Sequence, residues 1–242
     1  NLRNQKNRLV LEASSLTLQN TKFTFSGLLD ESPERRLTLH LRLDRGNLSG
    51  WDGLLTPLSS YQTRGTLNAD LSVTKALGSP EGELDLRGVL SLVGVQAKEK
   101  NSGRGIDQLN SKISFLGKQA RIERSSLRLG SSTLAFEATV PELARPVVQY
   151  SLWSPKLNLA DATSRPAYRT AWMKELRSTG ALQHGQGGMT LRGNFSSSEG
   201  SAQEIPYRNL TGEILWTPGG TSFKGLSFRA LGGTFRADGA WE

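Results

Sequence analysis

Cysteine is absent from this 242-residue sequence, which excludes a disulfide framework and a thiolate metal site. That absence is compatible with an oxidising envelope compartment. Histidine occurs only at His40 and His184, far apart in the chain, whereas metal centres need clustered ligands. We therefore expect no metal, and read both as surface or turn histidines. No apolar run approaches the roughly 18 residues of a membrane span, and the opening residues carry no signal-peptide pattern. Aromatic residues are scarce at 7%, and no dense Lys/Arg cluster interleaves with them, so nucleic acid is not an expected partner. Nine prolines are too few for a disordered linker.

What is present is a basic, turn-rich chain. Lys and Arg number 30 against 22 Asp and Glu, a net charge of +8 that suits an anionic partner such as phospholipid headgroups or lipopolysaccharide. The plainer reading of the same charge is a solvated surface. Gly at 26 residues points to many turns, and 36% hydrophobic residues must be used economically.

Period-two alternation dominates. Leu39, Leu41 and Leu43 alternate with His40, Arg42 and Asp44, and Leu67, Ala69, Leu71 and Val73 with Asn68, Asp70 and Ser72. Leu84 and Leu86 flank Asp85, Leu127 and Leu129 flank Arg128, Leu134 and Phe136 flank Ala135, and Met189 and Leu191 flank Thr190. Phe235 and Ala237 share a parity opposite to Arg236 and Asp238. Successive strand side chains point to opposite faces, so each segment has one apolar and one wet side, the antiparallel pattern. Turns are expected at 28–33, 78–82, 103–105, 183–187, 217–220 and 231–233, where Gly and Pro fit turn geometry. One helix is expected across Ala167 to Ser178, with Ser164 as cap, Pro166 in the first turn, and Tyr168, Trp172 and Leu176 four apart. A shorter helix or loop is expected from Trp51 to Tyr61.

The text repeats. Leu109, Ile113 and Phe115 return as Leu210, Ile214 and Trp216, and at the same shift Ile122 meets Phe223, Leu127 meets Phe228, and Leu134 meets Phe235. Upstream, Leu16, Leu18, Phe23, Phe25, Leu41, Asn47 and Leu48 match Leu127, Leu129, Leu134, Phe136, Leu152, Asn158 and Leu159. We expect one continuous β-repeat array over 1–242, with the end of one repeat at 1–60, a second at 65–178 and most of a third at 180–242. Such arrays add units along one axis. The chain opens and closes inside strand-like text, so a fragment of a longer protein is expected.

Catalytic chemistry is not signalled. Gly185-Gln186-Gly187-Gly188 lacks the Lys-Ser/Thr of a phosphate loop, and Asp30, Glu31, Glu34, Asp70 and Asp85 occupy turn or outward positions. Neither an enzyme nor a cofactor is expected. Asn47, Asn194 and Asn209 begin three-residue glycosylation patterns that arise often by chance.

The apolar faces therefore hold the interest. An exposed Leu or Phe forfeits roughly 1.5–3 kcal/mol of burial, so a second sheet, helices or a ligand must cover it. Helices are too few. A self-packed sandwich or barrel and a curled sheet filled by acyl chains both remain open, and the leucine-rich inward set leans toward the second.

Three stretches carry a family resemblance. Ile122 to Pro141, followed by Leu157-Asn158-Leu159, resembles the signature of AsmA-like bacterial envelope proteins: a strand, a small-residue turn, a second strand, then a Leu-Asn/Asp-Leu element. Leu226 to Gly239 and Leu16 to Gly27 are similar to it. The resemblance implies an all-β, elongated, repeat-built antiparallel sheet curled into an open groove or trough, with one or two short helices. It implies a segment of a periplasmic bridge carrying phospholipid or another acyl lipid between inner and outer membranes. The parent protein would be anchored in the inner membrane, with outer-membrane or periplasmic protein partners. Groove candidates are the inward residues named above, namely Leu16, Leu18, Phe23, Phe25, Leu39, Leu41, Leu43, Leu67, Leu71, Leu84 and Leu86. Ile113, Phe115, Ile122, Leu127, Leu129, Leu134, Phe136, Met189, Leu191, Ile214, Trp216, Phe223, Phe228 and Phe235 complete the set. The competing expectation is a non-catalytic, self-packed β-repeat stalk that aids outer-membrane assembly and offers strand edges to a partner.

Overall fold

Alternating sequence gives strands wherever it occurs. The computed structural model describes residues 2–5, 8–18, 21–30, 35–53, 56–77, 84–162, 168, 170–185 and 188–241. Its strands are β1 (Leu2–Gln5), β2 (Arg8–Leu18), β3 (Thr21–Asp30), β4 (Arg36–Asn47), β5 (Tyr61–Ala76), β6 (Leu84–Glu99), β7 (Gly105–Gly117) and β8 (Gln119–Leu129). They continue as β9 (Ser132–Val140), β10 (Val147–Asn158), β11 (Trp172–Gly185), β12 (Gly188–Ala202), β13 (Ile205–Thr217), β14 (Gly220–Ala230) and β15 (Gly233–Trp241). Hydrogen-bonded order is chain order in one sheet, and neighbouring strands such as β1 and β2, β3 and β4, and β14 and β15 run antiparallel, the outcome of short turns between neighbours. Among the described residues the protein is all-β apart from one short helix, α1 (Leu159–Ala162), and two 3-10 turns at Trp51–Gly53 and Thr56–Leu58.

Two compact units divide inside β8, at Asn1–Glu123 and Arg124–Glu242. Among the described residues, β1 pairs with β2 alone and β15 with β14 alone, so neither unit closes into a barrel.

Strand lengths recur. β7, β8 and β9 hold 13, 11 and 9 residues, and β13, β14 and β15 hold the same numbers in the same order. β2 and β8 start and end 111 positions apart, as do β4 and β10. A buried hydroxyl recurs at the same step. Thr21 Oγ1 accepts from the Asn47 amide at 3.1 Å, and Ser132 Oγ accepts from the Asn158 amide at 2.9 Å. Each ties the start of one strand to the end of the next. Gly65 and Gly180, the sequence boundaries of the second and third repeats, lie inside β5 and β11.

The helix expected across Ala167 to Ser178 is overturned, because Trp172 onward is β11. Ser164 and Pro166 lie outside the described residues. A spacing of four suits a strand as well as a helix, since four is even. The irregularity here is Glu175, held at φ 50 opposite Pro155, which has no N–H to donate. Ladder pairing lapses between Ser154–Leu176 and Lys156–Lys174, and alternation resets. Two turn expectations also shrink. Leu28, Leu29 and Asp30 pair with Thr38, Leu37 and Arg36, and Gln183 to Gly185 pair with Thr190 to Gly188. Residues 31–34, 78–83 and 186–187, which hold the rest of three expected turns, lie outside the described residues.

Candidate functional site

In the first unit, directly opposed residues share a face, so the register writes out the apolar side in rows. One row is Leu16, Phe23, Leu43, Ala69, Leu90 and Ile113. The next is Phe25, Leu41, Leu71, Gly88 and Phe115, and a third is Leu39, Val73 and Leu86. Leu84 pairs with Lys75, Leu67 with Leu92, and Leu18 with Thr21, all on this face by parity. Ile122 alternates with Glu123, whose carboxylate meets Lys112 at 2.9 Å and Ser114 at 3.1 Å on the wet side. Those two hydrogen bonds hold the Glu123 carboxyl below its usual range. The opposite face carries the row Thr24, Arg42 and Asp70 and the row Ser26, His40, Ser72 and Arg87.

The second unit repeats the division. Leu134, Leu157 and Leu176 form a buried cluster, against which Leu127, Leu129, Leu152 and Phe195 pack. Phe136, Leu152, Ser178, Phe195 and Gly212 are successive partners across β9 to β13. Ile214 pairs with Phe223, and Leu191 with Trp216. Phe195 meets Phe223 edge-on at 5.8 Å, and Phe228 stacks on Phe235 at 5.4 Å. Met189 pairs with His184 near the β11–β12 hairpin. A concavity of about 510 Å³ has Phe195 and Gly212 in its wall beside the polar Arg177, Asn194, Glu213 and Lys224. Each groove candidate thus falls on the apolar face of its own unit. Leu90, Leu92, Leu152, Leu157, Leu176, Tyr207, Leu210 and Leu226 belong there too. Leu90 and Leu92 could have been found by the alternation used for Leu84 and Leu86, whereas Leu157 and Tyr207 lie past irregular backbone that shifts the period.

These faces are poorly covered. Leu16 is 56% exposed, Leu39 44%, Leu84 49% and Phe235 43%, while Leu43 is the largest side chain among the fully buried ones. The chain exposes 15819 Å², whereas two separate compact globules of half its mass would together expose about 12,800 Å². Local cover comes from linkers. Trp51, between β4 and β5, lies 5.7 Å from the Phe23 ring, and Leu159 of α1 packs on the second-unit cluster.

Polar groups near these faces serve as structural ties. Asp161 Oδ2 accepts from the hydroxyls of Ser131 at 2.8 Å and Ser132 at 2.7 Å, and from the Ser131 amide at 3.1 Å. Burial alone would raise this carboxyl's pKa, but the hydrogen bonds from Ser132, Ser131 and Asn158 outweigh it and hold the value low. Gly130 permits the contact, because a Cβ there would lie 2.3 Å from Asp161 Oδ1 and its φ is +55. Burial pushes the Tyr207 phenol up, partly offset by its hydrogen bond with Ser197. Among the described residues no group of three or more His, Asp or Glu side chains could hold a metal ion. His40 lies on the wet face of β4 and His184 at the end of β11, both exposed.

The fold and face define a class: an antiparallel β-repeat sheet with one leucine-rich side left largely uncovered. Compared with known proteins, the chain matches no family model, no curated protein and no solved structure.

Proposed function

We propose that the apolar face of each unit carries lipid acyl chains. The chain is then a segment of a periplasmic, bridge-like lipid transfer protein that moves phospholipid between inner and outer membranes, as its resemblance to the AsmA-like family implies. The observation behind this reading is the exposure of aligned large apolar side chains, such as Leu39 and Leu84, on a face that no second sheet covers among the described residues. Water is a costly neighbour for such a surface, at roughly 25 cal/mol per Å², and acyl chains relieve that cost without any specific polar partner. Transfer needs no catalytic group here. Many weak, similar contacts let a chain slide from one row of leucines to the next. A self-packed stalk, by contrast, needs these side chains interlocked at close-packed density.

The test is lipid extraction followed by mass spectrometry of the chain purified without detergent. Co-purified phospholipid supports the reading. A chain that stays folded and monomeric but never takes up lipid, even when offered phospholipid vesicles, overturns it.

A further inference from the structure

On the wet side of the second unit, one row across five strands is strongly cationic. Lys156 pairs directly with Lys174, Lys174 with Glu199, Glu199 with Arg208, and Arg208 with Arg229. Like charges directly opposite each other destabilise a sheet, yet this row places two such pairs around a single carboxylate. Lys174 takes that carboxylate, at 2.7 Å from Glu199 Oε1. Lys156 lies 5.3 Å from the Trp172 ring centre. The row is not a by-product of the repeat. Where β13 has Arg208, the equivalent position of β7 has Asp107, which binds Lys98 at 2.6 Å.

The row also lies at the lip of the sheet, where β10, β12 and β14 end and β11 and β13 begin. One residue along each strand, the apolar face starts again, with Leu157 opposite Met173 and with buried Tyr207 and Ala230. A recess of about 1010 Å³ at this end has Arg208, Arg229, Glu199, Tyr207, Ala230 and Trp172 in its wall, two cations against one carboxylate. Cation and apolar surface meet within one concavity.

We infer that this lip binds the phosphate of an anionic amphiphile whose acyl chains lie on the adjoining apolar face, so that the second unit favours phosphate-bearing lipids and fixes which way they point. The inference rests on the acyl-chain reading above and adds to it the side chains that hold the headgroup. Charge complementarity selects the occupant, since Lys174 and Arg208 share the one carboxylate of the row, Glu199, and the row holds four cations against it.

The test measures displacement of a fluorescent fatty acid from the full chain by dioctanoyl phosphatidylglycerol and by dioctanoylglycerol, which share acyl chains and differ in the phosphate headgroup. The native chain is expected to prefer the phosphatidylglycerol by about tenfold or more, given about fivefold per cation near a lipid charge. A Lys156→Gln, Arg208→Gln, Arg229→Gln variant is expected to lose most of that preference while binding dioctanoylglycerol as before. Glu199→Gln, which removes the row's carboxylate, is expected to raise the preference, and keeps the test alive should the triple variant fail to fold. Equal binding of both lipids by the native chain, or an unchanged preference in the variants, overturns the headgroup site and leaves the acyl-chain reading standing. Failure to bind either lipid overturns both. Binding of a single-stranded oligonucleotide that the triple variant loses, with its lipid preference intact, assigns the row to nucleic acid and overturns the inference.

Discussion

Leu43 fills the space that a side chain on Gly46 would need: a Cβ there would lie 2.9 Å from Leu43 Cδ2. At the matching positions of β10 the sizes are exchanged. Ser154 is fully buried, with its hydroxyl donating to the Thr133 carbonyl at 2.8 Å, and Leu157 supplies the apolar bulk. β4 and β10 each put one leucine at this spot, from either of two backbone positions. Leu43→Ser alone is expected to cost about 2–5 kcal/mol through the cavity it leaves. Gly46→Leu alone is expected to cost about 1–3 kcal/mol through overpacking. The double variant should recover much of the sum, because it recreates the β10 arrangement. Urea unfolding of the four proteins gives the coupling directly, and strict additivity would contradict this account.

The hydroxyls of Thr21 and Ser132 are fully buried and hold strand ends together. Ser132→Ala leaves the Asn158 amide without its partner and takes one donor from Asp161, and should cost about 1–3 kcal/mol. Thr21→Ser keeps the hydroxyl and should cost far less than Thr21→Val. Thermal melts in which Thr21→Ser costs more than Thr21→Val would show that the methyl, not the hydrogen bond, matters.

Asp161 predicts an acid limit. Its folded pKa is held below the ordinary value of 3.8, so the folded state binds fewer protons than the unfolded chain in that range. Its stabilising contribution is full above that ordinary value and is lost as pH falls through the depressed folded value. Asp161→Asn should therefore be less stable than the native chain at neutral pH, with the difference narrowing below about pH 4. Chemical denaturation at several pH values checks the sign. A gap that widens in acid would refute the assignment.

Half-exposed residues on the apolar faces should tolerate polar replacement better than a core does. Leu39→Gln is expected to cost less than about 1.5 kcal/mol, because Leu39 keeps 44% of its surface in the structure, yet it should weaken lipid uptake. Leu134→Gln, at 6% exposure within the buried cluster, should unfold the second unit or nearly so. Equal losses at the two sites would mean that something covers Leu39.

Much of this arrangement is legible in the sequence because a strand writes its face in every second letter. Leu39, Leu41 and Leu43 needed no structure to be placed together, and Leu109 returning as Leu210 announced a repeat whose strands have matching lengths. Legibility fails where the backbone leaves the two-residue period. Glu175, in the left-handed region opposite Pro155, puts Trp172 and Leu176 on opposite faces despite their spacing of four, which read as a helix. The Leu43–Gly46 exchange with Ser154–Leu157 was hidden for a related reason, since the register slips between Leu43 and Gly46. The cationic row needed the register itself: Lys156, Lys174, Arg208 and Arg229 are scattered through the sequence and meet only across the strands.

His40 and Leu41 are chain neighbours on opposite faces, paired with Ser72 and Leu71. A photo-crosslinking amino acid placed at one or the other, in the chain mixed with phospholipid vesicles, tests the apolar face at single-residue resolution. The account predicts covalent lipid adducts from position 41 and little or none from position 40. Equal labelling at both positions, or none at 41 in a folded chain, would contradict it.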